Sequence, residues 1–419
     1  MDSSRSVSSI LEPAVAVRRE EGESRPPVRR QVSGLDGLRG LAALYVVLFH
    51  CWLYTFPGYP SSSAPWWLDG LMFGRLAVVF FLVLSGFSLA ISPARHGWRS
   101  GGVGEFLRRR AWRILPPYWA ALAMSLVVSL FVVPASHFGP PTGSSVLVYG
   151  LVLQDVFTAP TPNGAFWSIA VEAELYVVFP LLLLVRRRLN AVALAVGVTL
   201  PVVVGGLLAA GSNPVEGDNW LTPHLAPVFV AGMVGAGVVV ASDRIRRLPW
   251  AWFALLTALP VLALIALRGG VWTVHHYFWI DLAIAPAMAM LIAAVATGRP
   301  ALLVRLLTTR PVRSLGDFSY SLYLIHLPIV MTVIRRVAPH FVSPGLPTFG
   351  FTLTVALPVS ILTAWTFSRL FELPFKRNRS WKSLMARGRS RLTGAPAGDL
   401  TGTPAGDRRP LHEEQIRHV

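Results

Sequence analysis

Apolar residues dominate ten long stretches of the chain, and shorter polar segments separate them. The stretches lie near residues 38–56, 70–92, 115–135, 165–185, 190–210, 224–241, 250–268, 279–297, 318–338 and 349–371. An α-helix needs about 20 predominantly apolar residues to cross the hydrocarbon core of a bilayer. The pattern therefore predicts an all-α, polytopic membrane protein with about ten transmembrane helices.

An eleventh apolar stretch, Ser144 to Phe157, is short, and the positions of the arginines decide how we interpret it. With ten helices and an internal N-terminus, the arginine-rich loops face the cytoplasm, as the positive-inside rule requires. The external segments 57–69, 136–164, 211–223 and 269–278 contain no Lys or Arg, whereas Arg335 and Arg336 form an exception at an outer helix end. A crossing at Ser144 to Phe157 would move the later arginine clusters outside. We therefore interpret it as a re-entrant or interfacial half-helix.

Composition and charge support this assignment. Hydrophobic residues make up 53% of the chain, charged residues 14%, and the mean hydropathy is +0.54. The net charge of +17 could suggest nucleic acid, but arginines gathered in short loops are explained by membrane topology instead. The tails, 1–33 and 377–419, are rich in Arg, Pro, Ser and Gly and are predicted to be disordered and cytoplasmic. This leaves 34–376 as a transmembrane domain in the plasma membrane.

Ionisable residues inside a bilayer are costly, so each one is a candidate functional residue. Arg39 and His50 stand eleven residues apart in the first helix, which puts them within about 20° of one face and about 16 Å apart along the axis. Counting residues from the outer helix ends places His50 and Glu172 at the same level, roughly 10 Å below the outer surface, and His326 near the midplane. Each of the three could instead be a polar clasp between helices.

The cytoplasmic ends of the helices carry a different chemistry. The segment "RRRAWRILPPYW" places Arg110 and Arg113 three residues apart, just before the third apolar stretch. A guanidinium is a planar and permanently charged fork of donors that suits phosphate groups. Together with Arg39, the pair could hold a polyanion. Anchoring to anionic lipid is the alternative.

Six segments, taken in order, resemble one family: "LDGLRGLAALYVVLFH", "FFLVLSGFSLA", "RAWRILPPYW", "WSIAVEAELYVVFP", "SYSLYLIH" and "FELPF". Together they are similar to acyltransferase family 3, the membrane-embedded bacterial acyltransferases, over roughly residues 34–376. The resemblance implies ten transmembrane helices. It also implies transfer of an acyl group, usually acetyl from acetyl-CoA, to a hydroxyl of an envelope glycan or of a secondary metabolite such as a macrolide. One departure is "EAELY" where "EEQFY" is commoner, so Glu174 has no clear role.

Residue by residue, the resemblance assigns three groups of functional side chains. The Arg and His pair of the family corresponds to Arg39 and His50, its Arg-x-x-Arg pair to Arg110 and Arg113, and its acidic residue after Trp-Ser to Glu172. Further candidates in the same motifs are Asp36, Trp167, Ser168, Tyr320, Tyr323 and His326.

The depths of these residues suggest a mechanism. Acetyl-CoA carries phosphates at one end and a thioester at the other, so an enzyme supplied from the cytoplasm needs cations at the inner face and a base deeper in the membrane. We expect the arginines to hold the phosphates and His50 to act as general base on the acceptor hydroxyl. Glu172 would orient His50 or stabilise its imidazolium. Alternatively, His50 carries the acyl group itself. Cys51 lies about 100° round the helix from His50 and is disfavoured as a carrier.

Two other classes of protein compete with this interpretation. A proton-coupled transporter or flippase would also use intramembrane His and Glu, but the sequence shows no internal repeat. A membrane glycosyltransferase of the common polytopic type would carry an acidic motif in its first external loop, where this chain has only Asp69. We expect no bound metal, because no His, Asp and Glu cluster has ligand spacing within one helix, and no bound cofactor. Acyl-CoA is expected as a co-substrate, and nucleic acid is not expected as a partner.

Overall fold

A computed structural model describes residues 34–99, 101–133, 140–209, 222–378, 380 and 384–385. The predicted N-terminal tail, and most of the predicted C-terminal tail, lie outside these residues. Within them the regular secondary structure is helical, without a strand. This confirms the all-α class.

Fifteen α-helices follow one another along the described chain. They are α1 (Leu35–Thr55), α2 (Gly74–Arg95), α3 (Val103–Phe131), α4 (Gly143–Gly150), α5 (Trp167–Arg188), α6 (Ala191–Leu208), α7 (Leu225–Val240), α8 (Asp243–Arg246), α9 (Trp250–His275), α10 (Tyr277–Ala296), α11 (Ala301–Leu307), α12 (Arg310–Asp317), α13 (Ser319–Thr332), α14 (Leu346–Phe367) and α15 (Leu373–Arg377). Short 3₁₀ or π-helical turns adjoin several of them, at Trp66–Phe73, Gly164–Phe166, Val333–Val337, Ala338–His340 and Ser368–Glu372.

Nine helical segments of the described chain are long and apolar enough to cross a membrane, and α7 is a shorter tenth. These ten match the ten stretches predicted from hydropathy. The eleventh stretch forms α4, whose 8 residues give a length of about 12 Å, too short to cross. Tyr118 and Trp119 of α3 hold α4 in place by donating to the carbonyls of Tyr149 and Gly150.

Burial separates central helices from peripheral ones. In its most apolar 18-residue window, α13 with its following turns is 72% buried, whereas α6 is 11% buried. The exposed leucines and valines of α6 and α9 are the surface expected to face lipid, which does not penalise exposed apolar side chains. The corresponding windows of the helical segments that contain α5 and α1 are 50% and 39% buried, so the helices that carry the functional candidates are all more buried than α6.

Glycines allow α2 and α7 to approach each other closely. A Cβ atom on Gly86 would lie 2.1 Å from the Phe229 carbonyl oxygen, and one on Gly232 would lie 1.9 Å from that of Val83. Neither position can hold a side chain without displacement of the backbone. Small residues at such crossings are how membrane helices gain packing energy.

We expect Gly232→Ala to lower the thermal unfolding temperature of the detergent-solubilised protein, because overpacking typically costs about 1–3 kcal/mol. Gly237→Ala in the same helix is the matched control, since its Cβ would meet only Trp98, at 3.7 Å. Alanine favours a helix over glycine by about 1 kcal/mol, so the control should be neutral or stabilised. Equal unfolding temperatures for the two variants would contradict the close crossing.

Candidate active site

A large cavity, here called the arginine cavity, collects the cationic side chains of the sequence motifs. Its empty volume is about 970 Å³, including space open to solvent, which is within the usual range for ligand sites. Its charged and polar lining residues are Arg39, Arg110, Arg113, Glu172, Glu372, Ser85, Ser88, Ser168, Ser319, Tyr176, Tyr320 and Tyr323. The three predicted donor-binding arginines thus line one cavity.

The position of Arg39 follows from the glycines around it. A Cβ on Gly37 would lie 2.2 Å from the Leu307 carbonyl oxygen, and one on Gly40 would lie 2.6 Å from the Gly316 nitrogen, so α1 packs directly on α11 and α12. Asp36, predicted as a candidate, lies beside Arg39 and accepts from its Nη1 at 2.7 Å. Asp36 therefore orients the guanidinium.

Arg110 and Arg113 are the members of the arginine run that reach the cavity. The Arg110 guanidinium lies 5.5 Å from the centroid of the Phe106 ring, and its Nε is buried without a hydrogen-bond partner in the described part of the chain. Arg109 is exposed and pairs instead with Glu105 at 2.9 Å. Arg110 and Arg113 are three residues apart on α3 and therefore share the face that lines the cavity, whereas Arg109 lies on the exposed face.

Glu172 belongs to the arginine cavity, and the expectation that it lies level with His50 is wrong. Its Oε1 accepts from Ser85 Oγ at 2.7 Å and from the Tyr176 hydroxyl. The turn that leads into α5 lies inside the bundle. Its residue Ala165 lines the same cavity as His50, and the Ala165 carbonyl accepts a hydrogen bond from the Tyr323 hydroxyl. Glu172, seven residues further along, lies about 10 Å from Ala165 along the helix.

A second cavity, the histidine cavity, contains His50. Its empty volume is about 780 Å³, including open space. The polar and aromatic residues that line it are Phe49, His50, Tyr59, Arg75, Trp167, Tyr277 and Tyr323. Trp167, a sequence candidate, belongs here, whereas its neighbour Ser168 lines the arginine cavity.

The hydrogen bonds of His50 define which of its nitrogens can act as a base. His326 Nδ1 lies 3.0 and 2.8 Å from the carbonyl oxygens of Leu322 and Tyr323, so it must donate, and His326 Nε2 is left as an acceptor. His50 Nδ1 lies 3.1 Å from that nitrogen and 2.9 Å from the Val46 carbonyl. Both of these neighbours are acceptors, so His50 Nδ1 must carry the proton and donate to them. The Nε2 of His50 then carries the free lone pair.

The two cavities share part of their walls. Tyr323 and Val78 line both of them. The Tyr323 hydroxyl donates to the Ala165 carbonyl at 2.7 Å and accepts from Ser168 Oγ at 2.7 Å. The remaining sequence candidate, Tyr320, lines the arginine cavity and donates to the Ile114 carbonyl at 3.2 Å.

Several residues at these sites were not singled out from the sequence. Glu372, in the "FELPF" motif, lines the arginine cavity and accepts from Ser321 at 2.6 Å. Arg75, which lines the histidine cavity, pairs with Asp281 at 2.9 Å. For Arg75 the available signal was its position inside an apolar stretch, because buried charge in a membrane is rarely neutral for function. Glu372 lies directly after the last stretch, and the available signal there was the motif itself. In the described residues, no group of three or more His, Cys, Asp and Glu side chains could hold a metal ion.

Comparisons with known proteins identify the family of the chain. The family profile described as an acyltransferase domain, that of acyltransferase family 3, matches residues 32–365. YrhL of Bacillus subtilis, whose name assigns it to peptidoglycan O-acetylation, is 29% identical over 329 residues, 72% of this chain and 49% of YrhL. The O-acetyltransferase OatA of Staphylococcus aureus is 24% identical over 379 residues, 83% of this chain and 58% of that protein.

The peptidoglycan O-acetyltransferase OatA of Listeria monocytogenes is 24% identical over 326 residues, which is 72% of this chain and 50% of that protein. The chain thus spans about half the length of the curated relatives it matches. No solved structure matches the chain significantly. The family match covers most of the chain, and so the chain belongs to acyltransferase family 3.

Proposed function

We propose that this protein transfers an acetyl group from acetyl-CoA to a hydroxyl group of a glycan, with the donor bound in the arginine cavity and the acceptor in the histidine cavity. The observation that supports this most directly is the shared wall. Three arginines line one cavity and His50 the other, and Tyr323 and Val78 belong to both. A donor with phosphates at one end and a thioester at the other matches this separation of charge and base.

The arginine cavity suits the phosphates of coenzyme A. Arg39, Arg110 and Arg113 present three cations around one space. The Nε of Arg110, which has no hydrogen-bond partner among the described residues, is a buried donor that a phosphate oxygen would satisfy. Glu172 and Glu372 line the same cavity, and their carboxylates offset part of its positive charge. The positive-inside pattern of the loops supports access to this cavity from the cytoplasm.

His50 is the proposed general base. Its Nε2 lone pair takes the proton of the acceptor hydroxyl as the oxygen attacks the thioester carbonyl, and the protonated ring then gives that proton to the departing thiolate. His326 positions the ring by accepting from Nδ1, the role that a carboxylate has beside a catalytic imidazole in other acyltransferring enzymes. A covalent acetyl-His50 intermediate uses the same lone pair and would show ping-pong kinetics.

The names of the relatives favour a glycan as acceptor, since two of the three name peptidoglycan. Aromatic rings of Tyr59, Trp167 and Tyr277 line the histidine cavity and offer faces on which a sugar ring can stack. A glycosylated secondary metabolite such as a macrolide presents the same kind of hydroxyl. The match to an acyltransferase family favours this reaction over proton-coupled transport.

The proposal is tested with membrane vesicles that carry the wild-type protein and radiolabelled acetyl-CoA. Inverted vesicles, which expose the cytoplasmic face, are expected to move label into a glycan fraction, and right-side-out vesicles are not. Mass spectrometry of that fraction should show the added mass of one acetyl group. Absence of transfer from acetyl-CoA in both orientations would contradict the donor assignment.

Arg113→Ala is expected to raise the KM for acetyl-CoA more than the KM for the acceptor, because a phosphate contact is made equally in the ground and transition states. The expected rise in KM is roughly 10-fold, which corresponds to the free energy of one hydrogen bond to a charged group. Arg109→Ala is the matched control, since Arg109 is exposed and paired with Glu105. An unchanged donor KM in Arg113→Ala would remove this arginine from the donor site.

A further inference from the structure

A charged cluster in the wall of the histidine cavity has no part in the donor site. Arg75, at the start of α2, lines this cavity together with His50. Its Nε donates to Asp281 Oδ2 at 2.9 Å, and its Nη2 lies 3.0 Å from His224 Nε2. Arginine can only donate, so His224 accepts through Nε2. Asp281 and His224 are buried, at 0% and 3% exposure.

Aromatic rings restrict the guanidinium further. The Cζ atom of Arg75 lies 5.2 Å from the centroid of the Trp167 ring and 5.3 Å from that of Tyr277. Both rings line the histidine cavity and attract the cation. With Nε and Nη2 occupied, Nη1 makes no hydrogen bond to a residue that the structure describes. One edge of a fixed guanidinium is therefore available to a ligand in the cavity.

The charge balance indicates what kind of ligand that edge suits. Asp281 neutralises Arg75, so the pair as a whole contributes little net charge to the cavity. A permanently anionic ligand would lose its hydration on entering the cavity, and a neutral pair returns only part of that free energy. A negative charge that develops only during reaction is stabilised well by a fixed donor in a site sheltered from water, because no reorganisation is needed at that moment.

We propose that Arg75 is a catalytic residue that donates from Nη1 to the acyl carbonyl oxygen when it becomes an oxyanion. This inference rests on the proposed function. As the acceptor oxygen forms a bond to the carbonyl carbon, the carbonyl electron pair moves to the oxygen that faces Arg75, and the hydroxyl proton moves to His50 Nε2. When the carbonyl re-forms, the carbon–sulfur bond breaks, and His50 returns the proton to the thiolate. The products are the ester and free coenzyme A.

Arg75→Gln is expected to reduce the kcat for transfer from acetyl-CoA by about 10²- to 10³-fold, as the loss of an oxyanion donor does. The KM for acetyl-CoA should change little, because the contact forms only in the transition state. Slow hydrolysis of acetyl-CoA without acceptor should fall in parallel, since attack by water creates the same oxyanion. A raised acceptor KM with unchanged hydrolysis would instead make Arg75 an acceptor-binding residue and overturn the proposal.

Arg268→Gln is the matched control, because Arg268 also lies over a tryptophan ring, Trp272 at 5.4 Å, but does not line the histidine cavity. Its kcat should equal that of the wild type. If the wild type itself fails to consume acetyl-CoA, the proposed function fails and this role fails with it. If the wild type turns over and Arg75→Gln matches it, only the role of Arg75 is wrong.

A second variant separates chemistry from folding. Arg75→Gln leaves Asp281 buried without its partner, which can destabilise the protein. The double variant Arg75→Met with Asp281→Leu removes both charges, and replacing a buried pair by apolar residues of similar size is often tolerated. We expect it to fold, as judged by thermal unfolding in detergent, and to have the same loss of kcat as Arg75→Gln. Recovery of transfer in the double variant would show that Arg75 serves only to neutralise Asp281.

Discussion

Replacing His50 by glutamine is expected to reduce acetyl transfer by about 10²- to 10⁴-fold, the contribution that general-base catalysis usually makes. Glutamine keeps a polar group near the Val46 carbonyl and His326 but cannot take a proton. The loss should appear in kcat, because His50 lies outside the arginine cavity. Binding of acetyl-CoA, measured by equilibrium dialysis with labelled donor, should therefore stay close to that of the wild type.

His276→Gln provides the matched control for His50→Gln. Its Nδ1 also lies close to a carbonyl four residues earlier, that of Trp272 at 2.7 Å, and it lines neither cavity. We expect normal transfer in this variant. Near-normal transfer in His50→Gln would identify His50 as a polar clasp between α1 and α13 and remove the base from the proposed mechanism.

Much of the fold could be predicted because the signals are local. Each membrane helix shows as one apolar stretch, and the shorter α7 is still recognisable as such. The positions of the arginines, not hydropathy, predicted that the eleventh stretch does not cross the membrane. The end of its helix was predicted less well, because α4 ends at Gly150, well before the predicted limit at Phe157. The remaining part of that stretch is not regular helix, a boundary that apolar pattern alone does not define.

The depth of Glu172 could not be predicted because it depends on contacts between distant segments. Counting residues assumed that α5 starts at the outer surface. Instead Asn163 donates to the Leu324 carbonyl at 3.0 Å and to Ser125 at 3.1 Å, which draws the start of α5 into the bundle. The pairing of Arg110 with Arg113, in contrast, was predictable, because a spacing of three residues places both on one face of α3.

The pairing of Arg75 with Asp281 illustrates the same limit. The two residues are 206 positions apart, and each sits singly in an apolar stretch. Their presence in membrane helices marks both as candidates, but nothing in the spacing joins α2 to α10. The contact between His50 and His326 could not be predicted for the same reason. From the sequence, His326 was only a separate candidate near the midplane, and the 3.1 Å contact between the two rings depends on the packing of α1 on α13.

His326→Leu is expected to lower kcat by roughly 10- to 100-fold, the usual effect of losing a group that orients a reacting side chain. Without the acceptor at 3.1 Å, His50 Nδ1 keeps only the Val46 carbonyl, which is already part of the helix. The ring becomes freer to rotate and to exchange its tautomer. Nitrogen-15 NMR of labelled histidine should then show loss of the single tautomer that leaves Nε2 unprotonated.

His326→Gln separates positioning from packing. A glutamine oxygen at this place can accept from His50 Nδ1, and its amide can donate to the carbonyls of Leu322 and Tyr323, as the native ring does. We expect it to recover most of the kcat lost in the leucine variant, with the donor KM unchanged in both. If His326 served only as a structural contact between helices, its loss would lower thermal stability and activity together and leave the His50 tautomer unaltered. Equal activity of the leucine variant and the wild type would remove His326 from the mechanism and leave His50 to be oriented by the Val46 carbonyl alone.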